Sequence, residues 1–359
     1  MKLFPETTWK DTPWAWVGEE ALVDHQTCAR LCVATLLPFR DGQPDWAGFE
    51  RSIKWMIACA EEYQIEIVFV LNADTGYIFN LSTELYREVI QRFRNLFPDH
   101  KIICGTTAHG AEGETFQADW YRPHLEIAQE FQNVEVMLMT SRQLNVLGPE
   151  KRRDAYFAIL EHVEAPAIVH ALEPSFVSWA TPFEPWLLRE LAGHEKVTGG
   201  KISTLEEPHF LYWTAMCQDL GLDFAPHSGD DYGIASAIRM GQPSLIGAGV
   251  SACPLICAAK RMWIEDGDGR FDTRAYKVFE AFQSLEDAVF RLDENGSAAA
   301  YKQSTAAVLE LLGLIDSHEI HPDCSDHRPA GELSRMREAL SRPVRMAESL
   351  GIPGFEGIK

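Results

Sequence analysis

The chain has 359 residues, 46% of them hydrophobic, which is enough to build the core of one large α/β barrel or of two ordinary domains. Its formal net charge of −21 is spread along the chain rather than gathered in a tail, so the basic faces that nucleic acid and anionic membranes require are missing. No apolar run reaches the roughly 18 residues of a transmembrane helix, and residues 1–10 lack a signal-peptide core.

The first 24 residues form a tryptophan-rich lead-in (Trp9, Trp14, Trp16). From residue 30 onward, short apolar runs alternate with amphipathic stretches. A strand is predicted over 30–38, then a helix over 46–62 with Asp45 as its N-cap and Phe49, Ile53, Met56 and Ile57 on one face. The next strand covers 65–72. Ser82 caps a helix that turns Leu85, Val89, Phe93 and Leu96 inward and that Pro98 closes. A strand at 101–107 precedes a helix at 115–132, whose start Pro123 should shift or bend. Strands at 134–140, 166–172, 196–204, 223–228 and 244–250 are separated by helices at 149–162, 184–192, 206–220 and 232–240.

Eight strand–helix alternations in about 225 residues predict a closed parallel (β/α)8 TIM barrel over 25–260. Helices at 273–292, 298–312 and 330–350 then follow without strands. They predict a C-terminal helical extension, 261–359, packed on the barrel. The eight cysteines lie mostly in apolar surroundings, and the pairs Cys28/Cys32 and Cys253/Cys257 are four apart. They read as reduced thiols of a cytoplasmic protein rather than as a zinc or redox motif.

Barrel enzymes carry their chemistry at the C-terminal ends of the strands. Lys101 and Lys196 fall at the opposite ends. Lys201 alone lies inside a strand near its C-terminal end, in Val197-Thr198-Gly199-Gly200-Lys201, with two glycines leaving room around it. A desolvated lysine there is either a nucleophile for a carbonyl substrate or a structural partner of a carboxylate.

The order of motifs resembles the dihydrodipicolinate synthase / N-acetylneuraminate lyase superfamily over about residues 30–340. Leu37-Pro38-Phe39 and Asp41-Gly42 resemble the family's Thr-Pro-Phe and Asp-Gly. Ala73-Asp74-Thr75-Gly76-Tyr77 with Leu81-Ser82 stands where the family has Gly-Thr-Thr-Gly-Glu and Leu-Ser. Cys104-Gly105-Thr106, Val197 to Lys201, and Ser228-Gly229-Asp230-Asp231 match its third, sixth and seventh strands, and 241–254 aligns to its eighth-strand segment. The resemblance implies that Lys201 forms a Schiff base with a 2-oxo acid or sugar acid, in a class I lyase acting as aldolase or dehydratase. It implies that the N–H groups of Asp74 and Thr75, with Gly76, hold the substrate carboxylate, that Gly247 and Ser251 line the eighth-strand side, and that no cofactor is needed. Relatives are commonly homodimers or homotetramers, which is the expectation here.

The departures matter for function. The family's fifth-strand tyrosine is replaced by His170 or Ala171, according to whether the count starts from Pro166 or runs back from Pro174. His170 is a candidate acid–base group, or else a hydrogen-bonded barrel histidine. Tyr77 is a candidate phenol from another direction. Asp74 replaces the first threonine of the pair and would repel a 2-oxo acid unless protonated. The fourth-strand loop, 140–143, lacks the tyrosines of dihydrodipicolinate synthase, and Ser175 follows Pro174 where that enzyme has an arginine. Arg142 is a candidate replacement anion clamp, and His109 a candidate substrate contact. A divergent lyase on a small-molecule carbonyl substrate is therefore expected rather than dihydrodipicolinate synthase itself. A catalytically silent barrel that binds a small metabolite is the alternative. His318, His321, Cys324, Asp326 and His327 cluster in sequence but match no closed zinc pattern, and 266–270 begins like a calcium loop without its later ligands, so no metal site is expected.

Overall fold

The computed structural model describes residues 29–109, 115–219, 224–229, 232–239, 242–247, 249–265 and 273–355. The lead-in, the calcium-like loop and Asp230-Asp231 lie outside them.

Eight parallel strands form the barrel. In chain order they are β1 (Arg30–Ala34), β4 (Glu66–Leu71), β5 (Ile102–Thr106), β6 (Val134–Leu138), β7 (Ala167–Leu172), β8 (Val197–Ser203), β9 (Ala225–Ser228) and β10 (Leu245–Ile246). The numbers β2 and β3 belong to a small antiparallel hairpin, Phe39–Arg40 with Gln43–Pro44, turned by Asp41 (φ 52°) and Gly42 (φ 70°). The strand order is β10-β1-β4-β5-β6-β7-β8-β9, so each strand lies beside its sequence neighbour in the barrel and the ring is nearly closed. Across the remaining seam, the His227 ring reaches the Pro243 carbonyl (3.3 Å), while Cys32 N–H bonds Ser244 O on the other side (3.1 Å). Both faces of such strands are buried, which is why Ile67 to Leu71 is an unbroken apolar, β-branched run rather than an alternating one.

The helices begin where capping chemistry allows. Asp45 accepts from Gly48 N–H (3.0 Å) to start α1 (Trp46–Glu62), and Ser82 accepts from Leu85 N–H (3.2 Å) to start α2 (Thr83–Leu96). The helix predicted over 115–132 is a 3-10 turn, Ala118–Tyr121, and then α3 (Arg122–Gln129), with Pro123 in its first turn where its missing N–H costs nothing. The predicted eighth strand, 244–250, is mostly not a strand. It stops at Ile246, and from Gly249 the chain is helical to Glu265, a helix that the apolar run concealed.

Beyond that helix come Thr273–Val289, Tyr301–Leu311 and Glu332–Leu350. Tyr301–Leu311 is buried on most sides, including Lys302, Ser304 and Thr305. It is seated over the C-terminal end of the barrel. Just before it, Ala298 N–H bonds Ser175 O in the loop after β7 (2.7 Å), and Phe176 packs its ring against Phe290 and Tyr301. No described helix is long and apolar enough to cross a membrane.

Candidate active site

Strand register brings three side chains into one row. His170 of β7 pairs with Lys201 of β8, and Lys201 pairs with His227 of β9. Residues paired across parallel strands point to the same face, and here that face is the barrel interior. Lys201 is 6% exposed, His170 0% and His227 2%. The two glycines before the lysine serve different neighbours. A Cβ on Gly199, on the inner face, would lie 2.6 Å from Ala225 O and 3.2 Å from His227 Nε2. One on Gly200, facing outward, would lie 2.7 Å from Phe224 and 2.9 Å from Trp213. The space beside the lysine comes instead from Gly229, where a Cβ would stand 2.5 Å from Lys201 Cε and 2.7 Å from Ser203 Oγ.

His170 Nε2 lies 2.8 Å from Ser203 Oγ and Nδ1 lies 3.0 Å from Met139 Sδ. A thioether sulfur has no proton, so the bond to Met139 puts the ring proton on Nδ1. Nε2 is then the acceptor and the Ser203 hydroxyl donates to it. Burial, helped by the Lys201 charge, holds His170 well below the ordinary histidine range. Burial likewise pushes His227 down to about 4. A neutral base, a hydroxyl and an amine thus stand side by side. Ser203 is inward by simple alternation from Lys201, a signal present in the sequence.

The second-strand loop supplies the opposite wall. In a ring of eight, β4 and β8 are four strands apart, so the end of β4 faces Lys201 across the axis. This loop is tightly wound. Asn72 (φ 52°) and Tyr77 (φ 61°) both adopt the left-handed conformation, and a Cβ on Gly105 would be 2.1 Å from Asn72 O. A Cβ on Gly76 would press on Asn72 N at 3.2 Å. The N–H groups of Gly76, Tyr77 and Ile78 are tied to the carbonyls of Ala73 and Asp74. Among the described residues no backbone bond ties those of Asp74 and Thr75.

Asp74 is not alone in this wall. Its Oδ1 lies 3.1 Å from Lys302 Nζ, and its Oδ2 accepts from the Tyr301 hydroxyl (2.9 Å), which is also 3.0 Å from Thr75 Oγ1. Lys302 Nζ sits 4.7 Å from the Tyr301 ring centre. The Tyr301 ring stacks on Phe290 (4.6 Å) and lies against Gly247, where a Cβ would be 3.2 Å from it and 3.1 Å from Thr75 Oγ1. The repulsion expected of Asp74 therefore meets a buried countercharge from the C-terminal helix. Nothing in the sequence signals this, because the partners are more than 220 residues apart.

The other candidates are more scattered. The Tyr77 ring is buried between Phe39 (5.6 Å) and His321 (5.8 Å), on the side of the hairpin. His109 packs on His124 (5.1 Å) beside α2 and α3. Arg142 is exposed at the start of a short helix, Arg142–Asn145, and Ser251 is buried in the first turn of Gly249–Glu265. His318 bonds Glu310 (2.5 Å), His321 packs on Phe39, and among the described residues no three such side chains converge as a metal site.

One titration is diagnostic of the helix layer. His124 is buried and stacked on Tyr86 (4.2 Å), and burial together with His109 pushes it down to about 4 from an ordinary 6.5. Below pH 6.5 the unfolded chain takes this proton and the folded chain does not. The associated stability is complete above that pH and is lost as pH falls toward about 4. His124→Gln is expected to flatten this acid limb by up to about 1.4 kcal/mol per pH unit in urea unfolding at stepped pH. Parallel curves for parent and variant would mean that the folded protein accepts the proton.

No family model matches the chain. A curated relative, 4-hydroxy-tetrahydrodipicolinate synthase from Hyphomonas neptunium, is 23% identical over 236 residues, 66% of this chain and 75% of that protein. Among solved structures, dihydrodipicolinate synthase from Thermotoga maritima superposes with a TM-score of 0.70 at 16% identity, covering 88% of this chain and 98% of that one. The chloride-inhibited enzyme from Acinetobacter baumannii, complexed with pyruvate, gives 0.68 at 21% identity, covering 90% and 99%. The likeness to these structures is one of fold. With the sequence relative and the order of its motifs, the chain resembles the dihydrodipicolinate synthase / N-acetylneuraminate lyase superfamily at low identity.

Proposed function

We propose that the chain is a class I lyase, an aldolase or dehydratase, that forms a Schiff base between Lys201 and a 2-oxo acid. The observation that carries this reading is the buried lysine held between two neutral histidines, beside the Ser203 hydroxyl, at the C-terminal end of its strand. Imine formation needs an uncharged amine and a way to move protons as water leaves. Burial favours the first, and Ser203 with His170 Nε2 supplies the second. The N–H groups of Asp74 and Thr75, which no described backbone bond takes, stand at the end of β4 opposite β8 and suit the substrate carboxylate.

The solved structures it resembles are dihydrodipicolinate synthases, one of them complexed with pyruvate. Pyruvate is accordingly the first 2-oxo acid to try. The second substrate differs, in this reading, from theirs. Where dihydrodipicolinate synthase carries an arginine after the fifth-strand proline, this chain has Ser175, whose carbonyl is tied to Ala298.

The test is borohydride reduction of the protein with pyruvate and a panel of longer 2-oxo acids, followed by peptide mass spectrometry. A stable adduct on Lys201, absent from Lys201→Ala, is expected with at least one of them. No adduct with any member of the panel would overturn the reading.

A further inference from the structure

We propose that Tyr301, brought from the C-terminal helix, is the acid–base group of this site and that its proton relay ends on the carboxylate of Asp74. The proposal rests on the Schiff-base reading of Lys201. It goes beyond it by assigning the group that makes and unmakes the enamine.

Two facts of geometry carry it. First, the hydrogen bonds have a direction. Tyr301 donates to Asp74 Oδ2 (2.9 Å), so the bond to Thr75 Oγ1 (3.0 Å) is one that Tyr301 accepts. The chain of bonds runs from Thr75 through Tyr301 to Asp74, and Lys302 holds the other carboxylate oxygen (3.1 Å). Second, the hydroxyl is at the right wall. It touches the residue whose N–H suits the substrate carboxylate, and its ring lies on Gly247 at the end of β10. In this proposal, an acid joined to Lys201 whose carboxylate meets the Thr75 N–H would stand beside this phenol, which Thr75 Oγ1 touches at 3.0 Å. Two further groups near the amine, His170 and Ser203, are engaged with each other on the β7 side.

The step balances as follows. In the iminium formed on Lys201, the bond from C3 to hydrogen breaks. Its electron pair becomes the C2–C3 double bond, and the pair of the C–N double bond moves to nitrogen. The hydrogen passes to Tyr301 Oη as the tyrosine hands its own proton to Asp74 Oδ2. The iminium charge and the carboxylate charge are lost together, so no net charge is created in the buried interior. The reverse transfer returns the proton to C3. Lys302 acts as a positioning residue, holding the Asp74 carboxylate in place through its Oδ1.

The test uses the full chain with pyruvate in deuterated water. Imine formation is read by borohydride trapping on Lys201, and enamine formation by loss of the methyl proton signal in NMR. Tyr301→Phe keeps the ring stacked on Phe290 and is expected to trap pyruvate as the parent does while exchanging its methyl protons about 100-fold more slowly. Asp74→Asn is expected to match it, and the double variant to be no slower than either alone. Lys302→Met is expected to slow exchange and Lys302→Arg to restore it. Should Tyr301→Phe fail to fold, Asp74→Asn decides. Parental exchange rates in variants that still trap pyruvate would overturn the relay and leave the Schiff base standing. Absence of any 2-oxo acid adduct in the parent would overturn both.

Discussion

Gly229→Ala is expected to cut the rate of adduct formation on Lys201 by about 100-fold while the protein still folds. The added methyl would stand 2.5 Å from Lys201 Cε, 2.7 Å from Ser203 Oγ and 2.7 Å from Ile202 O. The lysine can swing aside, but the Ile202 carbonyl cannot, since it already accepts Gly229 N–H at 2.6 Å. Either the amine withdraws from the barrel axis or the end of β9 moves off β8. Both would displace the Lys201 amine by about an ångström, a misplacement that costs on the order of 10²-fold in rate for a reacting group. Overpacking of this kind costs about 1–3 kcal/mol, so the melting temperature should drop by only a few degrees. The checks are a time course of borohydride trapping and a thermal melt. Trapping at the parental rate would show that Gly229 does not set the position of the amine.

The same residue shows what could be read from sequence. Apolar runs marked most of the barrel strands, because a strand buried on both faces needs little else, though the first, expected over 30–38, ends at Ala34. The eighth was misjudged in length for that very reason. The run 244–250 is apolar, but Gly247 and Gly249 interrupt it and a buried helix takes over, and a short apolar run does not distinguish the two. Alternation from Lys201 marks Val197, Gly199 and Ser203 as its companions on the inner face, and the contacts of Gly199 and Ser203 agree. The expectation that Gly199 and Gly200 make room for the lysine was only partly physical, since Gly200 makes room for Trp213 on the outside. Tyr77 could be placed on the correct loop, yet its left-handed φ turns the ring toward Phe39 and His321, and a backbone dihedral of that kind is not written in residue type.

The largest illegible part is the wall contributed by the C-terminal helix. Lys302, Ser304 and Thr305 in sequence resemble a solvated helix face. They are buried, Lys302 against Asp74 and Ser304 against Glu332. A helix that carries polar side chains inward is informative only once its partners are known, and those partners sit on a loop at the other end of the sequence. The barrel thus supplies Lys201 from a position that pattern can find, while the Tyr301–Asp74 wall depends on long-range packing.

That packing hangs on Glu332, and its loss is expected to lower the melting temperature by about 5 °C or more. The carboxylate is 3% exposed and accepts from Arg291 (2.9 and 2.6 Å), Arg335 (2.9 Å) and Ser304 (2.6 Å). Arg328 bonds the same serine at 2.9 Å and the carbonyls of Val289 (2.7 Å) and Arg291 (2.9 Å), and burial with the nearby Arg291 charge lowers it to about 10. Removing one partner of a buried ion pair costs about 3–5 kcal/mol, because the remaining charges stay desolvated. Arg291 and Arg335 are partly exposed, which places Glu332→Ala toward the lower end. Ser304 lies on the same helix as Tyr301 and Lys302, less than one turn away. The variant should therefore slow methyl exchange on pyruvate more than it slows adduct formation, since Lys201 is held by strands that this network does not touch. Glu332→Gln keeps an acceptor for Ser304 and should fall between the two. A parental melt for Glu332→Ala would mean that the arginines find other partners, and equal slowing of both steps would mean that the C-terminal helix steadies the whole barrel mouth rather than its acid–base wall.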